Sequence, residues 1–315
     1  LMSAHPMWNV ELHCHTYWSK HSVASPRALL EVCRQRGIDR LAVTDHNTLS
    51  HREPMRELQA AFPNLLLIPG EEITTFQGHA NAIGVSEPLE FQLGSARLPS
   101  LDGLLDETAA QGAFLSVNHP GQPSGEACMG CGWTVKNTDW SRITAIEAVN
   151  GPTLRMGDAE GPTSGIPFWD ELLKRGQRIT AIGGSDNHDP TDRTGARQSP
   201  VGKPATVVYA EALSARGIVE GVRSGRVFID LTGSPAAMLD AETRIGAQVI
   251  YMGGTLALGR GEQANISFTT SGIPGAAIEL VSDGRMVVEP DRETKSEVVA
   301  TVQLGPGARF GYVRA

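Results

Sequence analysis

Positive charge is in short supply: 27 Lys and Arg stand against 35 Asp and Glu, a net charge of −8, and no basic run occurs in the 315 residues. Affinity for nucleic acid of any sequence comes from neutralising phosphates, so a nucleic-acid partner is not expected. Long apolar runs are missing too. Stretches such as Leu65 to Ile68 fall far short of the ~20 residues that cross a bilayer, and no membrane partner is expected. Cysteine is scarce, and Cys14, Cys33, Cys128 and Cys131 are too few for a disulfide framework in a chain of this size. The opening residues, LMSAHPMWN, lack the charged start and apolar stretch of a secretory signal, which gives a cytoplasmic expectation.

What is present is ordinary globular material, 40% hydrophobic and 20% charged, with 35 Gly and 19 Pro for turns. At about 150 residues per domain the length suggests roughly two domains. From Trp8 to about Asp230 short apolar runs alternate with helical patterns, the signature of stacked βα units. Strands are expected at Val10 to Cys14, Leu41 to Thr44, Leu65 to Pro69, Ala80 to Val85, Phe114 to Asn118, Ile143 to Val149, Ile179 to Gly183 and Val227 to Ile229. Helices are expected at Pro26 to Arg36, Leu101 to Gln111, Pro167 to Arg175 and Glu211 to Arg223. The unit count suits a barrel of parallel strands. After Ser234 the texture changes to alternating runs, Ala264 to Thr269, Ala277 to Val281 and Val298 to Leu304, which read as a small antiparallel sandwich. The expected division is 1–233 and 234–315, with the boundary near Thr232 to Pro235.

The chain has nine histidines, and seven of them fall at or just after the end of an expected strand. Strand C-termini of a parallel barrel converge on one face, so groups placed there can meet. In Glu11-Leu12-His13-Cys14-His15 a period-2 pleat puts His13 and His15 on one face and Cys14 on the other, where it packs. His21 follows in a loop, then Asp45-His46 at the end of the second strand. Asp45 reads as a ligand, as an acceptor behind one, or as a helix N-cap. His51 is expected in solvent. Glu71-Glu72 follows an apolar strand, with one carboxylate facing the barrel mouth and the other away, or either in a surface salt bridge. Gly78-His79, Asn118-His119-Pro120 and Ser185-Asp186-Asn187-His188 complete the series.

As a set these motifs resemble the PHP (polymerase and histidinol phosphatase) superfamily of metal-dependent hydrolases, over about residues 9 to 230. VTDHNT at 43–48, GEEITT at 70–75 and GGSDNH at 183–188 are similar to its carbaryl-hydrolase branch, which also carries a trailing β domain. The resemblance implies an α/β fold, a distorted (β/α)7 PHP-type barrel with a small C-terminal antiparallel β-sandwich domain. It implies two to three divalent metal ions, Zn, Mn or Fe. The first would be held by His13, His15, Glu72 and Asp186, the second by Glu72, His79 and His119, and a third by His21, His46 and His188 with Asp45 close by.

A cluster of this kind supports hydrolysis by a metal-bridging hydroxide, with no Ser or Cys nucleophile. Glu72, Asp45 and His188 are the expected catalytic groups, the last two moving protons. The partner would be a small-molecule substrate, foremost a phosphate ester. The alternatives are a carbamate, amide or ester at the same metal site, or a metal-stabilised binding module without turnover. An anionic ester calls for a cationic clamp, for which Arg155, Arg193, Arg197 and Lys136 are candidates, with Asn118 and Asn150 at strand ends. Cys128-Met129-Gly130-Cys131 has zinc-knuckle spacing, but there is no second CxxC or His pair to complete a tetrahedral site. It reads as a Gly-rich loop over the barrel mouth, part of a lid or pocket, with a disulfide as another option.

Overall fold

The computed structural model describes residues 6–126, 128–157, 159–212, 214–260, 262–273, 278–282, 285–288, 297–304 and 311–314. The first part runs β1 (Met7–Glu11), α1 (Pro26–Gln35), β2 (Arg40–Val43), α2 (Arg52–Leu58), β3 (Leu66–Thr75), β4 (Gly78–Ile83), α3 (Leu101–Ala110), β5 (Phe114–Val117), β6 (Ala145–Asn150), α4 (Gly151–Arg155), α5 (Ile166–Lys174), β7 (Thr180–Gly184), β8 (Ala205–Tyr209), α6 (Ala215–Arg223) and β9 (Val227–Asp230). These nine strands form one sheet in the order β7-β6-β5-β4-β3-β2-β1-β8-β9.

The sheet curls until its two ends meet. Gly183 of β7 donates its N–H to Thr206 Oγ1 of β8 at 2.9 Å, and that hydroxyl donates back to the Gly183 carbonyl at 2.7 Å. One apolar cluster draws Val10, Ala42, Ile68, Ile83, Phe114, Ala145, Ile182 and Val208 from successive strands, and α6 adds Ile218, Val219 and Val222 to it. The barrel interior is thus a packed core that one helix helps to close.

The pairing is mixed, which corrects the all-parallel expectation. β1-β2-β3 and β5-β6-β7 are parallel ladders, whereas β4 runs antiparallel to β3 and β5, and β8 runs antiparallel to β1 and β9. Between β3 and β4 the cause is loop length: only Phe76 and Gln77 separate them, and a two-residue connection joins only antiparallel neighbours. The sequence reading places no strand at Ala205–Tyr209, where β8 completes the sheet. Helix boundaries follow local chemistry. Ser25 Oγ accepts the Ala28 N–H ahead of α1, Pro26 occupies its first turn, and Leu29, Leu30 and Cys33 form its buried face.

Beyond Asp230 come β10 (Met238–Ile245), β11 (Gln248–Tyr251), β12 (Ala264–Ser271), β13 (Glu279–Ser282), β14 (Arg285–Val288), β15 (Glu297–Leu304) and β16 (Gly311–Arg314). They make two antiparallel sheets, β11-β10-β12-β15 and β14-β13-β16. The expected runs at Ala264 and Val298 correspond to β12 and β15, while Ala277, the start of the third run, lies outside the described residues. Tyr209 and Phe228 of the barrel pack with Leu239 of β10, and the Tyr209 hydroxyl donates to the Leu239 carbonyl at 2.8 Å. No helix among the described residues is long and apolar enough to cross a membrane.

Candidate metal centre

The strand ends deliver a dense group of imidazoles and carboxylates. β1 stops at Glu11, so His13 and His15 sit just past it, with Cys14 bridging to Asn187 and burying its thiol against the Ala42 carbonyl. The two rings still converge, with centroids 5.2 Å apart. Glu72 lies within β3, which runs on past the expected end at Pro69. Its carboxylate is fully buried and has five histidines around it. His46 Nδ1 is 2.8 Å away, His79 Nδ1 3.3 Å, His15 Nε2 3.4 Å, His13 Nε2 3.5 Å and His119 Nε2 3.6 Å. Asp186 Oδ1 approaches His15 Nε2 at 3.1 Å and His13 Nε2 at 3.4 Å.

Three donor sets of metal-binding size follow: His13, His15 and Asp186; His13, Glu72 and His119; and His15, His46 and His188. His21 stands at the open edge, its Nε2 2.8 Å from His188 Nε2. The donor set is the nitrogen-and-oxygen mixture that divalent transition metals take. Two of its atoms have no other use, since His13 Nε2 and His79 Nδ1 are fully buried and make no hydrogen bond. Buried polar atoms without partners are costly, and a cation among these groups would satisfy both. The residues therefore fit a metal.

Electrostatics point the same way. Burial alone would disfavour the charged form of His13, yet Glu147, Asp186 and Glu72 outweigh it and raise its pKa well above the ordinary value. His46 and His119 are likewise raised against burial, chiefly through Glu72. Glu72 and Asp186 are held well below the usual carboxylate range despite burial, by His46 and His13 for the first and by His13 and His15 for the second. His21, partly desolvated beside His188, is pushed down to about 4. The carboxylates thus draw positive charge onto His13, His46 and His119, while burial and neighbouring imidazoles hold His15, His21 and His188 down.

Backbone conformation is unusual at two of these positions. His119 (φ 29°) and Asp186 (φ 51°) occupy positive φ, which non-glycine residues seldom adopt. Both are pinned: Glu147 Oε2 accepts the His119 N–H at 2.9 Å, and the Asp186 N–H donates to the His13 carbonyl at 2.7 Å. Strain of this kind clusters at functional sites.

Several expected roles need correction. Asp45 does not face the cluster. Its buried carboxylate accepts from Thr16 N at 2.7 Å and Ser19 Oγ at 2.6 Å and lies 2.9 Å from His51 Nδ1, so it cannot serve as a proton shuttle there. It acts through Ser19, whose Oγ is 3.1 Å from His15 Nδ1 and also accepts the His46 N–H. His51, expected in solvent, is buried by that same contact. Asn118 is also internal; its Nδ2 donates to Glu72 Oε1 at 2.9 Å and to Asn81 Oδ1 at 2.8 Å. Asn150 donates to Glu147 and Asp186.

Arg193 lines a cleft with Val32, Arg36 and Pro200, and Arg197 pairs with Asp189 at 2.9 Å. Arg155 and Lys136 are exposed. Glu71 is not a surface ion; it is buried on the opposite face of β3, where one oxygen accepts the Leu89 N–H at 3.1 Å.

Sequence reasoning missed Glu147 and Glu11. Glu147 Oε1 accepts from His13 Nδ1 at 2.8 Å, and Glu11 Oε1 accepts the His13 N–H at 3.0 Å. A signal existed: each is a lone carboxylate inside an otherwise apolar strand, Ile146-Glu147-Ala148 and Val10-Glu11-Leu12. From sequence the CxxC is an incomplete site, but folding brings two histidines to it. One atom each of His79, His119, Cys128 and Cys131 lie within 4.8 Å of one another, with the two cysteines joined as a disulfide.

Comparison with known proteins places this geometry. Residues 11–94 match the PHP domain family model, a span that holds His13, His15, His21, His46, Glu72 and His79. An uncharacterized protein of Methanocaldococcus jannaschii, MJ1587, is 26% identical over 148 residues, covering 44% of this chain and 81% of that protein. A two-domain Bacteroides vulgatus protein, described as containing a predicted PHP-like metal-dependent phosphoesterase, is 22% identical with a TM-score of 0.56, covering 95% of this chain and 86% of that one. Residues 11–94 are thus similar to the PHP domain family, and the fold is like that of the Bacteroides protein, a barrel-like mixed sheet followed by small antiparallel sheets.

Proposed function

We propose that the protein is a metal-dependent hydrolase, foremost a phosphoesterase acting on a small phosphate ester. The observation that carries this reading is the buried Glu72 carboxylate ringed by histidines, two of which keep unused ring nitrogens. The description of the Bacteroides protein supports the phosphoester. His13, His15, Glu72 and Asp186 would hold one ion, Glu72, His79 and His119 a second, and His21, His46 and His188 a third, with Zn, Mn or Fe as the metal.

Divalent ions bound there supply an activated water and Lewis acidity toward the ester oxygen. The rest is done by the chain. Glu147 takes the Nδ1 proton of His13 as a hydrogen bond and leaves Nε2 to face inward. Asn118 and His46 fix the Glu72 carboxylate, and Asp45 fixes His15 through Ser19. His188 donates Nδ1–H to the Asp186 carbonyl at 2.9 Å, so its Nε2 keeps a lone pair and points to the rim beside His21, as a ligand of the third ion would.

The motifs shared with the carbaryl-hydrolase branch favour a second reading, carbamate or amide hydrolysis at the same centre. Turnover of phosphomonoesters, phosphodiesters, carbamates and anilides by the metal-loaded protein separates the two. Phosphoester turnover abolished by chelation supports the first; carbamate or anilide turnover without phosphatase activity replaces it with the second.

A further inference from the structure

His79 and His119 each face two ways. One nitrogen of each addresses Glu72: His79 Nδ1 at 3.3 Å and His119 Nε2 at 3.6 Å. The other nitrogen addresses the loop that carries the two cysteines. His79 Nε2 lies 3.0 Å from the Met129 carbonyl, and His119 Nδ1 lies 3.4 Å from Cys131 Sγ. The separation of at most 4.8 Å among one donor atom from each of His79, His119, Cys128 and Cys131 suits a tetrahedral ion with bonds of about 2.0–2.3 Å.

The loop is seated rather than draped. Gly130, at φ +81°, lies so close to the Thr75 carbonyl that a Cβ would collide with it, and its N–H donates to Ser124 Oγ at 2.9 Å. Trp133 packs its ring onto Gly78, at the turn of the β3–β4 hairpin. Cys131 is buried and Cys128 half-buried, and the pair is held against the histidines.

We propose that Cys128 and Cys131 form a redox gate on this end of the metal centre: as a dithiol they complete a Cys2His2 donor set with His79 and His119, and as a disulfide they withdraw from it. The inference rests on the reading of those two histidines as metal ligands. Closing the gate requires a small-molecule disulfide as oxidant. The Cys128 thiolate attacks one of its sulfurs and expels a thiolate; Cys131 then attacks Cys128 Sγ and expels the second. Two electrons pass to the small disulfide, which leaves as two thiols carrying the two protons. Thiolate is a softer donor than carboxylate, so the open gate favours zinc.

The test uses the full chain loaded with cobalt(II), once after a phosphine reductant and once after a small disulfide. The reduced protein should show thiolate-to-cobalt charge-transfer absorption in the near ultraviolet, lost on oxidation and in the Cys128→Ser/Cys131→Ser variant. Zinc should be held at least about tenfold more tightly by the reduced form in chelator competition. A reduced wild-type protein without charge-transfer absorption overturns the gate, and this comparison needs no variant to fold. The visible cobalt absorption of the double variant reports separately on the carboxylate-centred site. Its presence leaves the proposed function standing when the gate fails, and its absence counts against that function.

Discussion

Glu147 Oε1 lies 2.8 Å from His13 Nδ1, deep in the barrel where both side chains are almost wholly buried. The contact sets which nitrogen of His13 faces Glu72 and Asp186, and Glu147 uses its second oxygen to hold the His119 N–H at 2.9 Å. One carboxylate that touches no rim group thus orients donors from two strands.

Glu147→Gln should therefore weaken metal binding about 10- to 100-fold while leaving the fold intact. The expected signature is activity that recovers at high metal concentration with an unchanged KM. Unaltered metal affinity by calorimetry would show that the contact is only structural.

Adjacent Glu71 and Glu72 should behave as opposites. Glu72→Gln removes the carboxylate that the first two proposed ions would share and should cost at least about 100-fold in turnover; Glu71→Gln should cost little. Equal losses would mean that the wrong carboxylate has been identified.

Glu71 should also leave a mark on stability. Burial pushes its carboxyl up to about 7, from an ordinary value near 4.5, against one stabilising backbone N–H from Leu89. A raised carboxyl stabilises the fold fully below its ordinary value, and that stabilisation is lost as pH rises from about 4.5 through about 7. Melting temperatures across this window should fall less steeply for Glu71→Gln than for wild type; parallel profiles would contradict the assignment.

The C-terminal sheets carry no histidine and should contribute no ligand. Phe228→Ala, which empties the contact with Leu239 and Tyr209, should destabilise by roughly 3 kcal/mol. Metal stoichiometry should stay the same. A loss of bound metal in the folded variant would tie the two parts into one functional unit, against the proposed division at Gly233.

Much of the centre was legible because its groups sit in short motifs at strand ends. His13-x-His15, Asp45-His46, Glu71-Glu72 and Ser185-Asp186-Asn187-His188 need only the strand pattern to be brought to one face. What stayed hidden was long-range. Asp45 reads as a candidate acid from its neighbour His46, but folding spends it on Thr16, Ser19 and His51. The CxxC finds its histidines 12 and 49 positions before Cys131 and Cys128, across two strands, a pairing that no local spacing encodes. The antiparallel β4 depended on a two-residue link that alternation of apolar runs does not reveal.

The central claim, that the Glu72 cluster is a metal centre, is tested most directly by elemental analysis of the full chain beside its Glu72→Gln variant. The account predicts two or three ions of Zn, Mn or Fe per wild-type chain and at most one in the variant. A wild-type protein that carries no metal, and takes up none on addition, would contradict it.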